Sequence, residues 1–289
     1  MMGSQNSETN VNDIHLSKPQ REVIPGVQHT VAIASGKGGV GKSTTTVNLA
    51  LALAAQGARV GLLDADIYGP NQPKMLGANQ QAENESKRLL PIEAHGLKTM
   101  SIGYLIDTDT PVVWRGPMIA KMLEQLLRDT AWGELDYLLI DLPPGTGDVQ
   151  LTLSKRFHVD GALIVTTPQD VALLDARKAL EMFRKVDVPV LGVIENMSMH
   201  VCSQCGHEEA LFGAGGGERL ATDTGLDVLG RLPLLLSIRE ASDAGLPIVK
   251  ADPDSPATHV YFEVALRLKE ILEKKRKSKL KAFPDIVVG

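Results

Sequence analysis

The residues with the most recognisable chemistry form a short glycine-rich loop. The loop lies between a predicted strand, Thr30–Ala34, and a predicted helix, Lys42–Ala55, and it has the spacing G-x-x-x-x-G-K-[ST]. In a strand–loop–helix setting this spacing binds phosphate, because the glycines let successive N–H groups point inward and the helix adds its positive end. The sequence therefore predicts a nucleotide site at Gly36, Lys37, Gly38, Gly39, Val40, Gly41, Lys42, Ser43 and Thr44.

Two side chains of this loop are candidates for direct roles in phosphate chemistry. We expect Lys42 to reach the β- and γ-phosphates and Ser43 to ligate Mg²⁺. Asp141 ends the predicted strand Tyr137–Asp141, and carboxylates at the carboxyl ends of parallel strands face the ligand crevice. Asp141 is therefore predicted to hold Mg²⁺ through its water shell, although by itself it could also serve as a helix cap or a turn residue.

A second acidic pair follows the predicted strand Arg59–Asp64. We predict that Asp66 positions the attacking water, with Asp64 as its neighbour, and that Lys42 and Asp66 take part in catalysis. A turn or capping role is the alternative for each aspartate. The glycines and prolines of residues 142–148 suit a switch loop that responds to the γ-phosphate.

Cys202 and Cys205 are the two cysteines of the chain, and their Cys-x-x-Cys spacing is common in zinc and iron–sulfur sites. One chain offers two thiolates, whereas a closed tetrahedral site needs four ligands. Two chains around a two-fold axis would supply them. His200 and His207 could instead complete a zinc site within one chain. A redox pair, or a pair of inert thiols, is the third interpretation.

The elements around these residues alternate between β and α patterns. Continuously apolar strands of this kind are covered on both faces, which favours an α/β fold with a mostly parallel sheet wrapped by helices on both faces. The predicted strands are Thr30–Ala34, Arg59–Asp64, Tyr137–Asp141, Gly161–Thr166, Val190–Ile194 and Val228–Leu232. The predicted helices are Lys42–Ala55, Pro117–Arg128, Ala172–Lys185, Gly217–Thr224 and a final helix at about 258–277.

Composition shifts divide the chain into three parts. Residues 1–28 are predicted to be a flexible arm, 29–273 one P-loop ATPase domain, and 274–289 a basic tail that contains KKRKSKLK. Inside the domain, the polar residues 77–96 are expected to form an exposed excursion. The glycine-rich residues 197–217 form an insertion that carries both cysteines.

Charge and composition exclude several classes of protein. The 289 residues carry a formal net charge of −5 and only eleven aromatic side chains, which disfavours nucleic-acid binding by phosphate contact or base stacking. No apolar run approaches the roughly 20 residues of a membrane span. Two cysteines are too few for a disulfide-stapled secreted protein, and the first residues lack a secretory or transit pattern. We expect a cytoplasmic location, with the mitochondrial matrix as the alternative.

The loop resembles the deviant Walker A motif, KGG-x-x-GK-[ST], of ParA/MinD-type ATPases. The resemblance implies that Lys37 crosses a homodimer interface to the nucleotide of the partner chain, and so joins Lys42 and Asp66 as a catalytic residue. From about residue 26 to 250 the chain resembles the Mrp/ApbC family of iron–sulfur cluster carrier ATPases. The motifs that carry this resemblance are SGKGGVGKST, LLDADIYGP, VVWRGPM, DLPPGTGDVQL, TTPQDVAL, ENMS and CSQCGH.

This resemblance implies a homodimer that binds ATP and Mg²⁺ and hydrolyses ATP slowly. Cys202 and Cys205 would bridge a labile [4Fe–4S] cluster between subunits, received from cluster donors and passed to apo iron–sulfur proteins. Asn196 and Pro233 would border the adenine. Trp114 is expected to pack in the core and Arg115 to face the dimer.

Two other functions remain open on the sequence alone. One is a partitioning or positioning switch that uses ATP-dependent dimerisation to bind DNA or membrane, and this binding would depend on the basic tail and not on the cysteines. The other is a zinc-stabilised P-loop enzyme, which would hold one zinc per chain and lose it when His200 or His207 is replaced.

Overall fold

The computed structural model describes residues 21–106 and 116–281. Its strands are β1 (Val27–Ala34), β2 (Val60–Asp64), β3 (Asn84–Glu85), β4 (Arg88–Leu89), β5 (Ile92–Ala94), β6 (Leu97–Ser101), β7 (Leu135–Asp141), β8 (Gly161–Thr166), β9 (Val190–Glu195), β10 (His200–Val201), β11 (Glu208–Glu209) and β12 (Val228–Arg231). Its helices are α1 (Lys42–Ala55), α2 (Gln72–Met75), α3 (Gly116–Asp129), α4 (Asp148–Arg156), α5 (Asp170–Lys185), α6 (Gly216–Thr224), α7 (Leu236–Asp243), α8 (Ile248–Ala251) and α9 (Pro256–Lys281), with a 3₁₀ turn at Ile102–Tyr104.

An eight-stranded sheet in the order β12-β9-β8-β1-β7-β2-β6-β5 forms the centre of the fold. Its neighbouring strands are parallel, except that β5 runs antiparallel to β6 at one edge. Every residue of β2 and β8 is buried, as expected for strands covered on both faces. The predicted α/β fold with a mostly parallel sheet is confirmed.

The register of the central strands aligns the ends that carry the candidate site. Asp141 of β7 pairs with Ile33 of β1 on one side and with Asp64 of β2 on the other. The glycine-rich loop leaves β1 at the same level. Because parallel strands end at a common edge, residues distant in sequence meet there.

Helix α1, which follows that loop, is deeply buried between the sheet and other helices. Its residues Thr45 to Leu53 have almost no exposed surface, and it packs against α8, α9 and the central strands. A helix that is apolar on most sides stabilises a fold by burial rather than by amphipathic placement. The first turn of α1 is therefore held rigidly beneath the candidate phosphate site.

The polar segment 77–96 differs from its predicted form. Within this segment, the β3–β4 hairpin forms a separate two-stranded sheet. Strand β5 instead joins the edge of the main sheet and buries Ile92 and Ala94. Both residues of the connecting turn, His95 and Gly96, have positive φ, as a two-residue hairpin turn of this type requires. A three-residue strand is too short for its alternation to stand out in the sequence.

Residues 21–28, which the sequence assigned to the flexible arm, pack against the domain. The backbone N–H of Glu22 donates to Arg156, its carbonyl accepts from His158, and Ile24 is buried. At the other end, helix α9 continues to Lys281 and so includes the first residues of the predicted basic tail. None of the described helices has the length and apolar character that crossing a membrane requires.

Asp160 fixes the start of β8 against β1. Its carboxylate accepts from the backbone N–H of Thr30 at 3.0 Å, lies 3.3 Å from His158 Nε2, and lies 3.8 Å from Nδ1 of the buried His29. Burial raises the pKa of Asp160, but the two imidazoles and the Thr30 N–H outweigh it and lower this pKa to about 2. Since folding lowers the pKa, the ionised carboxylate stabilises the fold above pH ~4, and this is lost as the pH falls toward 2.

We predict that Asp160→Asn lowers the free energy of unfolding at pH 7 by about 2 kcal/mol, the equivalent of the pKa shift. Urea denaturation at pH 7 and at pH 3 measures this difference, which should shrink at the lower pH. Asp254→Asn at an exposed position is the control and should change little. An equal loss for Asp160→Asn at both pH values would contradict the role given to the charge.

Candidate functional site

The glycine-rich loop is shaped by close contacts that exclude side chains at two positions. A Cβ on Gly36 would lie 2.0 Å from the backbone carbonyl carbon of Asp175 in α5. Gly41 has a φ of +79°, and a Cβ there would lie 2.2 Å from Nδ2 of Asn196. These glycines are therefore required by the fold of the loop itself.

Lys42 and Asp141 form a buried ion pair beneath the loop. Nζ of Lys42 lies 2.6 Å from Oδ1 of Asp141 and 3.2 Å from Oγ of Ser43. Thr46 donates to the same carboxylate oxygen, and the side-chain amide of Gln72 donates to Oδ2 at 2.9 Å. A buried carboxylate needs such partners, and these hold Asp141 beside Ser43, its predicted companion at a Mg²⁺ site.

The two aspartates after β2 occupy different environments. Asp64 is fully buried and accepts hydrogen bonds from Ser101 Oγ and from the N–H groups of Gln72 and Asp66. Burial, together with the charge of Asp141, raises the pKa of Asp64 to about 7. This carboxyl group holds neighbouring segments in place.

Asp66 is only partly buried, two residues beyond Asp64. Burial raises the pKa of its carboxyl, the nearby Lys42 opposes that rise, and Asp141 adds to it. The charges of Lys42 and Asp141 thus act on Asp66 in the folded chain. Its predicted role in orienting a water molecule stays a prediction.

The loop after Asp141 is tied to the glycine-rich loop. The N–H of Gly145 donates to the carbonyl of Ser35 at 2.9 Å, and the buried Gln150 donates to the carbonyls of Pro143 and Gly145. These bonds suit the switch role predicted for residues 142–148. The side chain of Asp148, and Trp114 and Arg115 entirely, lie outside the described residues.

A cavity of about 240 Å³ opens beside the end of the glycine-rich loop. Four of its lining residues are positions predicted to bind nucleotide: Gly41, Thr44, Asn196 and Pro233. Further lining residues come from the loop before α7, from α7 and from other helices, and no sequence motif marks them: Met75, Leu234, Leu235, Ile238, Arg239, Asp243 and Tyr261.

Asn196 connects this cavity to the glycine-rich loop. Its Nδ2 donates to the carbonyl of Val40 at 2.9 Å, and its Oδ1 accepts from the N–H of Met197. Met197 has a φ of +55°, so the chain turns sharply at the end of β9. The turn directs the following residues toward the cysteines.

Residues 198–200 run alongside residues 232–234. The N–H and Oγ of Ser198 both donate to the carbonyl of Leu232, and the N–H of Leu234 donates to the carbonyl of Met199. His200 Nδ1 lies 3.2 Å from the carbonyl of Leu234. The strip that leads to the cysteines is therefore bonded to the wall of the cavity.

The cysteines form a tight knuckle at the tip of the β10–β11 hairpin. The N–H of Cys202 donates to the carbonyl of His207, and the N–H of Gly206 donates back to the carbonyl of Cys202, each at 2.9 Å. Both thiols are free, and Cys205 is exposed. Hydrogen bonds from the N–H groups of Gln204 and Cys205, and from the Cys205 thiol, lower the pKa of Cys202. The knuckle thus favours a thiolate, the form that binds metal.

Two other interpretations of the cysteine pair are a zinc site completed by His200 and His207 within one chain, and a redox pair. Because a carbonyl only accepts, Nδ1 of His200 must donate to Leu234. In the described ranges no three His, Cys, Asp or Glu side chains are arranged to hold a metal ion. The pair lies in a hairpin and not at a helix N-terminus, where redox Cys-x-x-Cys pairs gain their reactivity.

Glu195 closes the base of the cysteine insertion. Its buried carboxylate accepts from the N–H of Gly217, at the far end of residues 197–217. Arg231 lies 3.9 Å from the other carboxylate oxygen. Both ends of the insertion are therefore fixed at the carboxyl end of β9.

Comparison with known proteins places the chain in a family. The ParA family model, described as NUBPL iron-transfer P-loop NTPase, matches residues 26–269. The chain belongs to this family. It is 56% identical over 270 residues to an iron–sulfur cluster carrier protein of Pseudomonas fragi, covering 91% of this chain and 94% of that protein. It is 52% identical to the mouse iron–sulfur cluster transfer protein NUBPL, covering 86% and 78% of the two chains.

A solved structure agrees with this placement. The nucleotide-binding protein of Archaeoglobus fulgidus in complex with ADP has a TM-score of 0.71 and 38% sequence identity. The match covers 82% of this chain and 93% of that one. The resemblance to the Mrp/ApbC family of iron–sulfur cluster carrier P-loop ATPases, of the ParA/MinD type, is confirmed at the level of the family.

Three side chains that hold the candidate phosphate site of this P-loop NTPase were not predicted from the sequence. Gln72, Thr46 and Ser101 bond directly to Asp141 or Asp64. Thr46 follows Lys42 by four residues and so lies on the same face of α1, a spacing that could have indicated it. Gln72 and Ser101 carry no motif.

We predict that Gly41→Ala weakens nucleotide binding by about tenfold or more, because the new Cβ displaces Asn196 from Val40. Titration with a fluorescent ADP analogue measures the affinity. Gly57→Ala is the matched control, since Gly57 also has positive φ but nothing lies within 4 Å of its Cβ position. It should lose stability and keep its affinity. Equal affinities for Gly41→Ala and Gly57→Ala would contradict this account of the loop.

Proposed function

We propose that the chain is an ATP-dependent iron–sulfur cluster carrier that acts as a homodimer. Two subunits would bind one [4Fe–4S] cluster between their cysteine knuckles and pass it to apo-proteins. The observation that carries this proposal is an exposed knuckle with two free thiols, bonded through residues 196–200 to the wall of the P-loop cavity. The names of the relatives from Pseudomonas fragi and mouse support the same role.

Four thiolates hold a cluster of this type, and each chain supplies two. A two-fold axis through the paired knuckles would bring Cys202 and Cys205 of both subunits together. The lowered pKa of Cys202 favours the thiolate that a cluster needs. The exposed position of Cys205 suits a cargo that must leave for another protein.

The nucleotide half of the proposal uses the loop and the carboxylates beneath it. Backbone N–H groups of residues 36–43 and the ammonium of Lys42 would bind the phosphates of ATP. The hydroxyl of Ser43 and the carboxylate of Asp141 form an all-oxygen donor set, which fits Mg²⁺ and would hold it. Bound Mg²⁺ neutralises charge that develops on the β- and γ-phosphates.

Hydrolysis would need an oriented water molecule. Asp66, half-buried beside Lys42, would accept a hydrogen bond from that water as it attacks the γ-phosphorus and ADP leaves. Lys37 is partly exposed on its own chain. We assign it a contact with the nucleotide of the partner subunit, where added positive charge stabilises the transferring phosphoryl group.

Nucleotide and cluster would be coupled through the strip 196–200. A nucleoside in the cavity would touch Asn196 and Pro233 directly, and Asn196 precedes Cys202 by only six residues. A ligand shifts a conformational equilibrium only by binding its states with different affinity. ATP and ADP would therefore favour different positions of the knuckle. Given the bacterial relatives, we place this carrier in the cytoplasm, with the mitochondrial matrix as the alternative.

We predict that anaerobic reconstitution gives roughly four iron and four sulfide ions per dimer. Metal and sulfide analysis, with size-exclusion chromatography, measures both the content and the assembly. The Cys202→Ala/Cys205→Ala variant should retain neither ion, because the ligands are gone. His200→Ala/His207→Ala should retain the cluster, because no histidine belongs to the proposed ligand set.

Two other results would point elsewhere. One zinc ion per monomer, lost when the histidines are replaced, would assign the cysteines to a structural zinc site. ATP-dependent binding to DNA or lipid vesicles that is unaffected by loss of both cysteines would instead identify a partitioning or positioning switch. Either result would overturn the carrier proposal.

A further inference from the structure

Gln72 is buried at the centre of the candidate phosphate site, although no motif includes it. It begins the short helix α2 and is 1% exposed. Its backbone N–H donates to Oδ2 of Asp64 at 3.2 Å, which fixes where the helix starts. Glutamine is rarely buried to this degree unless its polar atoms have partners.

The amide nitrogen of Gln72 uses both of its hydrogens. Nε2 donates to Oδ2 of Asp141 at 2.9 Å and to the carbonyl of Ser43 at 3.1 Å. Turning the amide over would place its oxygen against these two acceptors, so its orientation is determined. The side chain is thus held between the two residues that we assign to Mg²⁺.

The amide oxygen of Gln72 has no such partner. Oε1 is buried and accepts no hydrogen bond from any described residue. The ammonium of Lys42 donates to Asp141 and Ser43 and forms no hydrogen bond with this oxygen. A buried carbonyl oxygen without a donor is costly, so this position calls for a donor that the polypeptide does not supply.

We propose that Gln72 is a positioning residue for the bound cation, and that its Oε1 accepts a hydrogen bond from a water molecule of the Mg²⁺ shell. This inference rests on the proposed Mg²⁺–nucleotide site. A water bound to Mg²⁺ is a strong donor, and Mg²⁺ in proteins keeps several of its waters. The same side chain holds Asp141, so it orients both a water and the carboxylate that contacts the shell.

This role places Gln72 between the two sides of the reaction centre. Its side chain contacts Ser43 and Asp141 on the cation side, and its backbone contacts Asp64, which also accepts from Asp66. Residues that support metal ligands in this way typically contribute 10–100-fold in metal affinity or activity. Gln72 would therefore act on cation binding before it acts on hydrolysis.

The test measures cation affinity without turnover. Mn²⁺ serves as the probe, titrated by electron paramagnetic resonance into full-length protein saturated with ADP. Gln72→Met removes the amide with little change in volume and should weaken Mn²⁺ binding about tenfold. Its ADP affinity in EDTA should equal that of the wild type. Asn71→Ala, at the exposed neighbouring position, should match the wild type in both measurements.

Gln72→Glu separates positioning from packing. It keeps an acceptor oxygen for the water but loses the donor to Asp141 and Ser43. The proposal therefore predicts an Mn²⁺ affinity between those of the wild type and Gln72→Met, about threefold below the wild type. A purely structural role predicts greater damage than Gln72→Met causes, because a second carboxyl is placed beside Asp141. Where Gln72→Met fails to fold, a loss of tenfold or more in folded Gln72→Glu would overturn the proposal.

Failure of the inference is distinguishable from failure of the proposed site. If Mn²⁺ does not bind wild-type protein with ADP, the Mg²⁺–nucleotide site itself is wrong. If Mn²⁺ binds the wild type and folded Gln72→Met equally well, only the role of Gln72 is wrong.

Discussion

The hydrogen bond from the Asn196 side chain to the carbonyl of Val40 joins two segments that are 156 residues apart in sequence. One segment is the glycine-rich loop, and the other leads to the cysteines. The bond leaves no space for a side chain on Gly41, and the same asparagine amide accepts from Met197, where the chain turns toward the knuckle. A side chain on Gly41 would therefore displace Asn196, whose amide also accepts the N–H at the start of the strip that leads to the cysteines.

The sheet gives this contact its rigidity. Strands β1, β7 and β2 are adjacent and end at a common edge, so Asp141 and Asp64 are held at one level beneath the loop. Lys42, the first residue of the buried helix α1, is held against Asp141 by their ion pair. When reactive groups are held at a rigid edge of the sheet, conformational change is confined mainly to the connecting loops. The cysteine hairpin, two residues long in each strand and exposed at its tip, is the least supported of these elements.

Most of the framework was predictable because its signals are local. The glycine-rich loop is recognised by the spacing of its residues, and the apolar strands by their composition. The carboxyl ends of the predicted strands lie within a residue or two of those observed. Gln72 and the wall of the cavity were not predictable, because they reach the site through chain folding and not through a pattern. Strand β5 was missed for a different reason, since three residues give too little alternation to identify a strand. The cysteine pair was found by spacing, but its bonds to residues 232–234 depend on tertiary structure.

In the function we propose, nucleotide at the glycine-rich loop controls a cluster at the cysteines. The rate of cluster transfer from reconstituted protein to an apo-acceptor, followed by recovery of the acceptor's activity, tests it most directly. With Mg²⁺, replacing ADP by ATP should change this rate by about fivefold or more, the lower range of allosteric coupling. Lys42→Ala should bind the cluster normally and show no dependence on nucleotide. If wild type and Lys42→Ala transferred the cluster at the same rate, in ADP as in ATP, this control by nucleotide would be contradicted.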